Sequence, residues 1–439
     1  MGSEGARNVK WIDGVRGIAS FSVICTHLAR AFNYNLFWPS STEEATPLIL
    51  QWPILRLPWQ GRIGVALFAF LTGYVCALKP LRQARSGNPA GALSSIAKSA
   101  FRRPPRLILP ALIATAISWT IAQFGGFVVA TRCDSDYLRD SSPKVAGRSL
   151  KDEIYRFFRV SHNTWTTGHM DYDDHQWALL PLLKGSMMVY VTLAATVYMK
   201  FKYRLVVYTL MFLHWHENNL PETETFGMQL FFGMFLCDLS DHPPVQHFIT
   251  SRRWVRVILS PALLFIGLYL ASFPDGRFHW VRWSADLERL GHAIFPRDVS
   301  LQKRFTGLGC HFIMSGIFLS PTLRDILSNR LFLWLGRNSF AVYLTHGTLL
   351  RVVLAWMIYG ISGQPWVETK NEKGEVVPPT PLPRVGHLGF VIALSIWFPL
   401  VYTVGHMWTT YVDSWCAKIT HKLERLTFEE DEKAPLLVT

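Results

Sequence analysis

Arg16 and His27 stand eleven positions apart in VKWIDGVRGIASFSVICTHLARAF, residues 9–32, a stretch that otherwise reads as the start of a membrane helix. An ionisable side chain in such a segment is costly, and its presence points to function. Eleven residues advance a helix to within about 20° of three full turns, so the two side chains project from one face, roughly 16 Å apart along the axis. Ser20 lies between them on that face, and Asp13 lies within about 40° of it. A guanidinium can hold phosphate through two parallel hydrogen bonds. A neutral imidazole in a low-dielectric pocket can take the proton of a hydroxyl. The pair therefore suits a long ligand, anionic at one end, that reacts near mid-membrane. A plainer role is open to each: Arg16 as a snorkelling anchor, His27 as a hydrogen-bonding partner of a neighbouring carbonyl.

The rest of the chain has to position these groups. It has 439 residues, half of them hydrophobic and only 17% charged, against about 25% charged in an ordinary soluble domain. Recurrent apolar windows predict an all-α, polytopic membrane helix bundle of about ten transmembrane helices. They fall near 14–35, 62–79, 107–130, 177–199, 204–216, 226–239, 255–273, 305–321, 331–359 and 386–412. The fifth and sixth are short for a bilayer of about 30 Å, and the ninth holds Gly347, where a bend is expected. Lys79, Arg82, Arg85, Lys98, Arg102, Arg103 and Arg106 follow the second window with no acid among them. By the positive-inside rule that face is cytosolic, as are both termini. HENNLPETET (216–225) and the longer loops 131–176 and 360–385 fall on the other side. The loop 274–304 carries Arg277, Arg282, Arg289, Arg297 and Lys303 against that pattern, as a re-entrant segment or an exception.

Three regions follow: a cytosolic tail over 1–13, a transmembrane domain over 14–412, and an acidic, disordered cytosolic tail over 413–439. In the last, Glu432 with Leu436 and Leu437 has dileucine spacing. The net charge of +13 lies largely in loops between apolar windows, which argues for topology signalling rather than nucleic-acid binding. Six cysteines, mostly in or near apolar windows, give no disulfide framework, and no Cys/His spacing of a metal site occurs, so no metal is expected. No cleavable leader is expected before the first window, since no short apolar h-region with a small-residue cleavage site stands there. No internal repeat is apparent, which weighs against an inverted-repeat transporter.

Five segments then resemble, in order, the acyltransferase-3 family of integral membrane acyltransferases. DGVRGIASFSVICTH carries an arginine and a histidine separated by ten residues; GRIGVALFAFLTGYV (61–75) is similar to the family's second-helix segment, with Thr72 in place of serine. FRRPPRLILP (101–110) resembles the arginine-rich approach to the third helix, HQWALLPLLKGSMMVY (175–190) the fungal form of the fourth-helix motif, and LGRNSFAVYLTHGTLL (335–350) the late motif. Members usually carry a glutamate a few residues after the fourth-helix tryptophan. Here Leu182 follows Trp177 at that place, and Asp171, Asp173 and Asp174 are the nearest acids that could replace it.

The resemblance implies transfer of an acyl group, commonly acetyl from acetyl-CoA or another acyl-CoA, onto a hydroxyl. His27 and Arg16 are then the expected catalytic residues, with Arg16, Arg103 and Arg106 on the CoA phosphates. Asp13, Ser20, Trp177 and His346 are expected to line the site. His311 and His406 read as packing residues. The fungal character of the fourth-helix motif suggests a lipophilic secondary metabolite, such as a terpenoid or polyketide alcohol, as acceptor, in the endoplasmic reticulum or connected membranes. A carbohydrate hydroxyl is the alternative acceptor; a transporter of an anionic solute, or a catalytically lapsed membrane protein, is the alternative outside the activity. Apart from the small-molecule acceptor and the lipid bilayer, no partner is expected, and nucleic acid is not.

Overall fold

The computed structural model describes residues 2–147, 149–217, 226–360, 369–371, 376–377 and 380–428. Its first half comprises α1 (Gly2–Phe32), α2 (Gly61–Arg85), α3 (Pro89–Gln123), α4 (Asp136–Ser141), α5 (Leu150–Thr166), α6 (Leu179–Thr196), α7 (Phe201–Glu217) and α8 (Phe226–Ser240). The second half comprises α9 (Pro243–Ser251), α10 (Ser260–Ala271), α11 (Arg282–Ile294), α12 (Leu301–Leu319), α13 (Pro321–Leu327), α14 (Arg330–Leu349), α15 (Ala355–Tyr359), α16 (His387–Trp408) and α17 (Ser414–Thr427). Two two-residue strands, Thr369–Lys370 and Val376–Val377, pair antiparallel. The expected all-α bundle is present.

Length and composition alone mark fewer than ten crossings among the described residues. Among the described residues, five helical stretches are long and apolar enough to cross a bilayer: Gly61–Arg85, Pro89–Gln123, Asp174–Thr196, Arg330–Tyr359 and His387–Thr427. Pro243–Ser251 with Val255–Ala271 makes a sixth if its 84° bend is a break within one span. The other expected windows fall short for identifiable reasons. Helix α1 carries Asp13, Arg16 and Arg30, α7 and α8 have 17 and 15 residues, and α12 opens with Lys303 and Arg304. Their apolar faces are buried against neighbouring helices instead: α1 on α14 and α2, α8 on α2 and α7, α12 on α10.

Small residues let these helices approach closely, as membrane helix contacts require. A Cβ on Gly233 would collide with the Phe70 carbonyl, and one on Gly73 with that of Leu230, so α2 and α8 touch backbone to backbone. Gly14, Gly17 and Gly336 do the same between α1 and the α13–α14 segment. Trp11, Phe70, Tyr74, Phe231 and Met234 fill the core between α1, α2 and α8, and a second core gathers Val342, Leu350, Leu354, Trp397 and Val401 of α14 to α16.

Several connections differ from a simple loop reading. The 131–176 segment forms α4 and α5, each begun by a serine whose hydroxyl accepts from a first-turn amide: Ser135 from Leu138 and Ser149 from Asp152. The loop 274–304 holds α11, an amphipathic surface helix with Leu287 and Gly291 buried and Arg282, Asp286 and Arg289 on its exposed side. Arginines on such a helix need not obey the rule for short connecting loops. Helix α14 passes through Gly347 without a break, and the wider π turn comes after it, at Leu350–Leu354.

Helix begins at Gly2, inside the expected tail, and α17 continues past residue 412, where Arg102 of α3 meets Glu424 at 3.5 Å. Glu432, Leu436, Leu437, the acidic stretch 218–225 and most of the 360–385 loop lie outside the described residues. All six cysteines are free and buried, Cys133 included.

Candidate active site

His27 sits on the fourth turn-face of α1 that Arg16 begins, and its ring meets two more histidines. The His175 ring stacks on it with centroids 3.7 Å apart, and the His346 ring lies 5.3 Å from it and 4.4 Å from His175. Two different segments deliver these partners. His346 comes from α14, which packs along α1. His175 comes from the short 3-10 turn Asp174–Ala178 that leads into α6.

Each imidazole is oriented by a hydrogen bond at Nδ1. His346 Nδ1 faces the Val342 and Tyr343 carbonyls at 3.0 and 2.9 Å, so it carries the proton and donates to them. His27 Nδ1 lies 2.8 Å from the Tyr137 hydroxyl. Burial raises the pKa of Tyr137, keeping it a neutral phenol. His175 Nδ1 is 3.2 Å from Asp173 Oδ1 and 3.3 Å from Arg351 Nη2. The Nε2 atoms of His175 and His346 and Oδ2 of Asp173 are buried without a hydrogen-bond partner. Buried orphans of this kind call for an explanation, and a reaction centre is one.

A clamp holds the His175 turn in place. Arg351, fully buried within the π turn, binds Asp173 Oδ1 at 3.3 Å and the Ser141 hydroxyl at 3.2 Å. One turn earlier, Gly347 lets the Asp173–His175 pair approach the helix. A Cβ there would lie 2.8 Å from Asp173 Oδ1 and 3.0 Å from His175 Cε1 and Nε2. One turn earlier still, the Tyr343 hydroxyl donates to the His175 carbonyl. Ser118 of α3 donates to the Tyr172 carbonyl at 2.8 Å, fixing the incoming strand of chain.

His27 also forms part of the wall of a cavity of about 720 Å³. Thr26 and Arg30 of α1, Arg62 of α2, Trp177 and Lys184 at the α6 side, and Lys303 of α12 are among its lining residues. The volume lies within the usual range for small-molecule sites. His175 and His346 stand behind His27, away from the cavity lining.

The arginines expected to hold an anion lie apart from this cavity. Arg16 binds Asp13 at 2.9 Å and is close enough to Arg103 for the two charges to repel. Arg103 Nε is buried without a hydrogen-bond partner. Arg106 is exposed and lies within electrostatic reach of Asp413. Ser20 donates to the Ser339 carbonyl at 3.2 Å, and so joins α1 to α14. The structure thus brings Arg16 and Arg103 together in one place and His27, His346 and Trp177 in another, with α1 as the connection.

Comparison with known proteins decides the family. The family model described as an acyltransferase domain, that of acyltransferase-3, matches residues 9–404. The chain belongs to the acyltransferase-3 family. It is 23% identical to acyltransferase R4 of a Phoma species, over 96% of this chain and 97% of that protein. It is 23% identical to O-acetyltransferase PaAT-1 of Phomopsis amygdali, over 79% and 73%, and 21% identical to acyltransferase clz18 of Cochliobolus lunatus, over 94% and 95%. No solved structure matches. An acyltransferase-3 chain with these helices is a multi-pass integral membrane enzyme that transfers an acyl group from a donor to an acceptor.

Within this acyltransferase-3 chain, the acid question has a geometric answer. Of the three aspartates near the missing glutamate, Asp173 is the one buried against His175 and Arg351. Asp174 lines the cavity, and Asp171 pairs with Arg156 and His169. His175, Arg351 and Tyr137 were not singled out from sequence. Arg351 lies inside an apolar window, five residues after His346, and that intramembrane charge was the available signal.

The three histidines also offer nitrogen donors within 4.8 Å of one another. A zinc ion would need three lone pairs converging on a point about 2.0–2.1 Å from each nitrogen. The His27 and His175 rings are instead stacked, with centroids 3.7 Å apart and 28° between their planes, so their in-plane lone pairs lie in two nearly parallel layers. The arrangement fits mutual orientation and proton transfer better than ligation of one ion.

Proposed function

We propose that this protein is an O-acyltransferase, specifically an O-acetyltransferase, that moves the acyl group of acyl-CoA to a hydroxyl of a lipophilic secondary metabolite. The observation that carries the reading is the position of His27 on the cavity wall, backed by the His175 ring and held at Nδ1 by Tyr137. With the Nδ1 proton donated to Tyr137, the Nε2 lone pair is left to act as a base. It takes the acceptor's hydroxyl proton as the oxygen attacks the thioester carbonyl. The carbon–sulfur bond then breaks, and the imidazolium returns the proton to the CoA thiolate, giving ester and free CoA. Arg16, Arg103 and Arg106 are assigned to the CoA phosphates, supported by the proximity of Arg16 to Arg103 and by the unpartnered Arg103 Nε.

In this reading ten helices traverse the membrane, α1, α7, α8 and α12 being polar or short because the bundle itself covers them. Both termini face the cytosol, where CoA resides, and the membrane is the endoplasmic reticulum or one connected to it. The fungal sources of the relatives and the O-acetyltransferase among them support a fungal acyl acceptor of this kind.

The test uses the full-length protein in nanodiscs, with release of CoA thiol measured against an alcohol acceptor. His27→Gln should lower turnover by about 10²–10⁴-fold, the range for loss of a general base, while thermal unfolding stays close to that of the parent. Unchanged product formation would reject the role. Profiling a deletion strain for a compound one acyl mass lighter would identify the acceptor and separate a lipophilic alcohol from a carbohydrate.

A further inference from the structure

Lys184 lies at the middle of the span Asp174–Thr196, is exposed, and has no hydrogen-bond or ion-pair partner among the described residues. A lone ammonium at that depth is costly unless it faces water or meets an anion. It lines two cavities at once. On one side is the His27 cavity. On the other is an apolar groove of about 640 Å³ formed by Pro104, Trp165, Leu183, Met187, Met188 and Met211. Leu180 and Lys184 line both.

The groove runs along the outer side of α6, whose Val191, part of its wall, is 70% exposed. It therefore opens sideways, toward lipid. Its three methionines give it a flexible, adaptable apolar surface. It holds no basic residue besides Lys184, which suits a single carboxylate better than the clustered charges of a pyrophosphate.

We infer that Lys184 and this groove form one binding site for an amphiphilic carboxylic acid. The hydrocarbon body lies against Leu183, Met187, Met188 and Met211, and the carboxylate rests on the Lys184 ammonium. The remainder reaches past Leu180 toward His27. Given the proposed transfer, on which this assignment of purpose rests, the acceptor is a lipophilic acid that also bears a hydroxyl and enters from the bilayer. In that low-dielectric setting a charge pair is far stronger than in water, so one lysine is enough to select the acid.

The experiment uses full-length protein in phosphatidylcholine nanodiscs with diazirine-bearing palmitic acid and the matching alcohol as photoprobes. Labelling requires no turnover, so it stands or falls separately from the transferase reading. The acid should label the 180–192 segment saturably. Lys184→Met should reduce that labelling about tenfold, the size of one charge-assisted hydrogen bond, and leave the alcohol's labelling unchanged. Met188→Trp should reduce both. Non-saturable labelling, or labelling by acid and alcohol that neither substitution alters, would mark the groove as ordinary lipid contact and overturn the site. Displacement by palmitoyl-CoA at concentrations where unlabelled palmitic acid fails would assign the groove to the donor and overturn it equally.

Discussion

Gly347→Ala puts the smallest steric load on the Asp173–His175 pair while leaving every ionisable group in place. The added Cβ would stand 2.8 Å from Asp173 Oδ1 and 3.0 Å from two atoms of the His175 ring. Ordinary contact begins near 3.5 Å, so the pair must retreat by roughly 0.5–0.7 Å. Arg351, one turn further along the same helix and bonded to the same Asp173 oxygen, and the Tyr343 bond to the His175 carbonyl tether the pair against a rigid retreat. The ring must therefore slip against His27. Overpacking of this kind costs about 1–3 kcal/mol, and alanine regains about 1 kcal/mol of helix propensity over glycine, so net stability should fall by about 2 kcal/mol at most. Misplacement of a catalytic group by about 1 Å costs on the order of 100-fold in rate. Turnover should thus fall by about 10–100-fold with a small change in unfolding temperature. The control is Gly267→Ala, which crowds the α10–α12 packing around Ile313 and should cost stability with turnover retained. The assay is CoA release in nanodiscs beside thermal unfolding of each variant. Wild-type turnover in Gly347→Ala, or equal loss of turnover in both variants, would refute the idea that this glycine seats the pair behind His27.

Arg103→Ala and Arg106→Ala should raise the acyl-CoA concentration for half-maximal rate with less effect on the maximal rate, and an unaltered concentration dependence would remove both from the donor site. Glu153, capped by the Ala146 and Gly147 amides and Gln123, is held below its ordinary carboxylate pKa of 4.5, these bonds outweighing the burial that would raise it. Its contribution to stability is therefore full above pH 4.5 and is lost as the pH falls through the lower folded value. Glu153→Gln should lower the unfolding temperature at pH 7, and the gap to the parent should close on acidification; a gap independent of pH would contradict this. Overnight dialysis against EDTA should leave turnover unchanged, because the stacked His27 and His175 rings do not converge on an ion; metal-restorable loss would show that they do.

The periodic and charged features of the sequence translated well into geometry, because they reflect single helices. His27 and His346 fall in the resemblance motifs and the fold brings their rings together. Asp173 was one of three aspartates near the missing glutamate, and only tertiary packing on Arg351 separates it from its neighbours. His175 was hidden because it belongs to a short turn between α5 and α6, where no period exists to aim a side chain. Only five or six of the ten expected spans stand out by length and composition among the described residues, for a related reason. Apolar windows mark burial, and in a bundle of this size burial by protein and burial by lipid give the same local pattern, as in the 15-residue α8. The Arg16–His27 alignment survived as two neighbourhoods on one helix rather than one crevice, since Arg16 turns to Asp13 and Arg103.

The glycine contacts of α1 have a mechanical consequence. Where Gly14 and Gly17 press on the backbone of the α13–α14 segment, the two helices touch beside Arg16, and His27 lies about 15 Å farther along the rod. A tilt of about 5° about that fulcrum would carry the imidazole about 1.3 Å, enough to change its seat against α14. Whatever fastens the arginine end of this lever therefore sets the aim of its far tip.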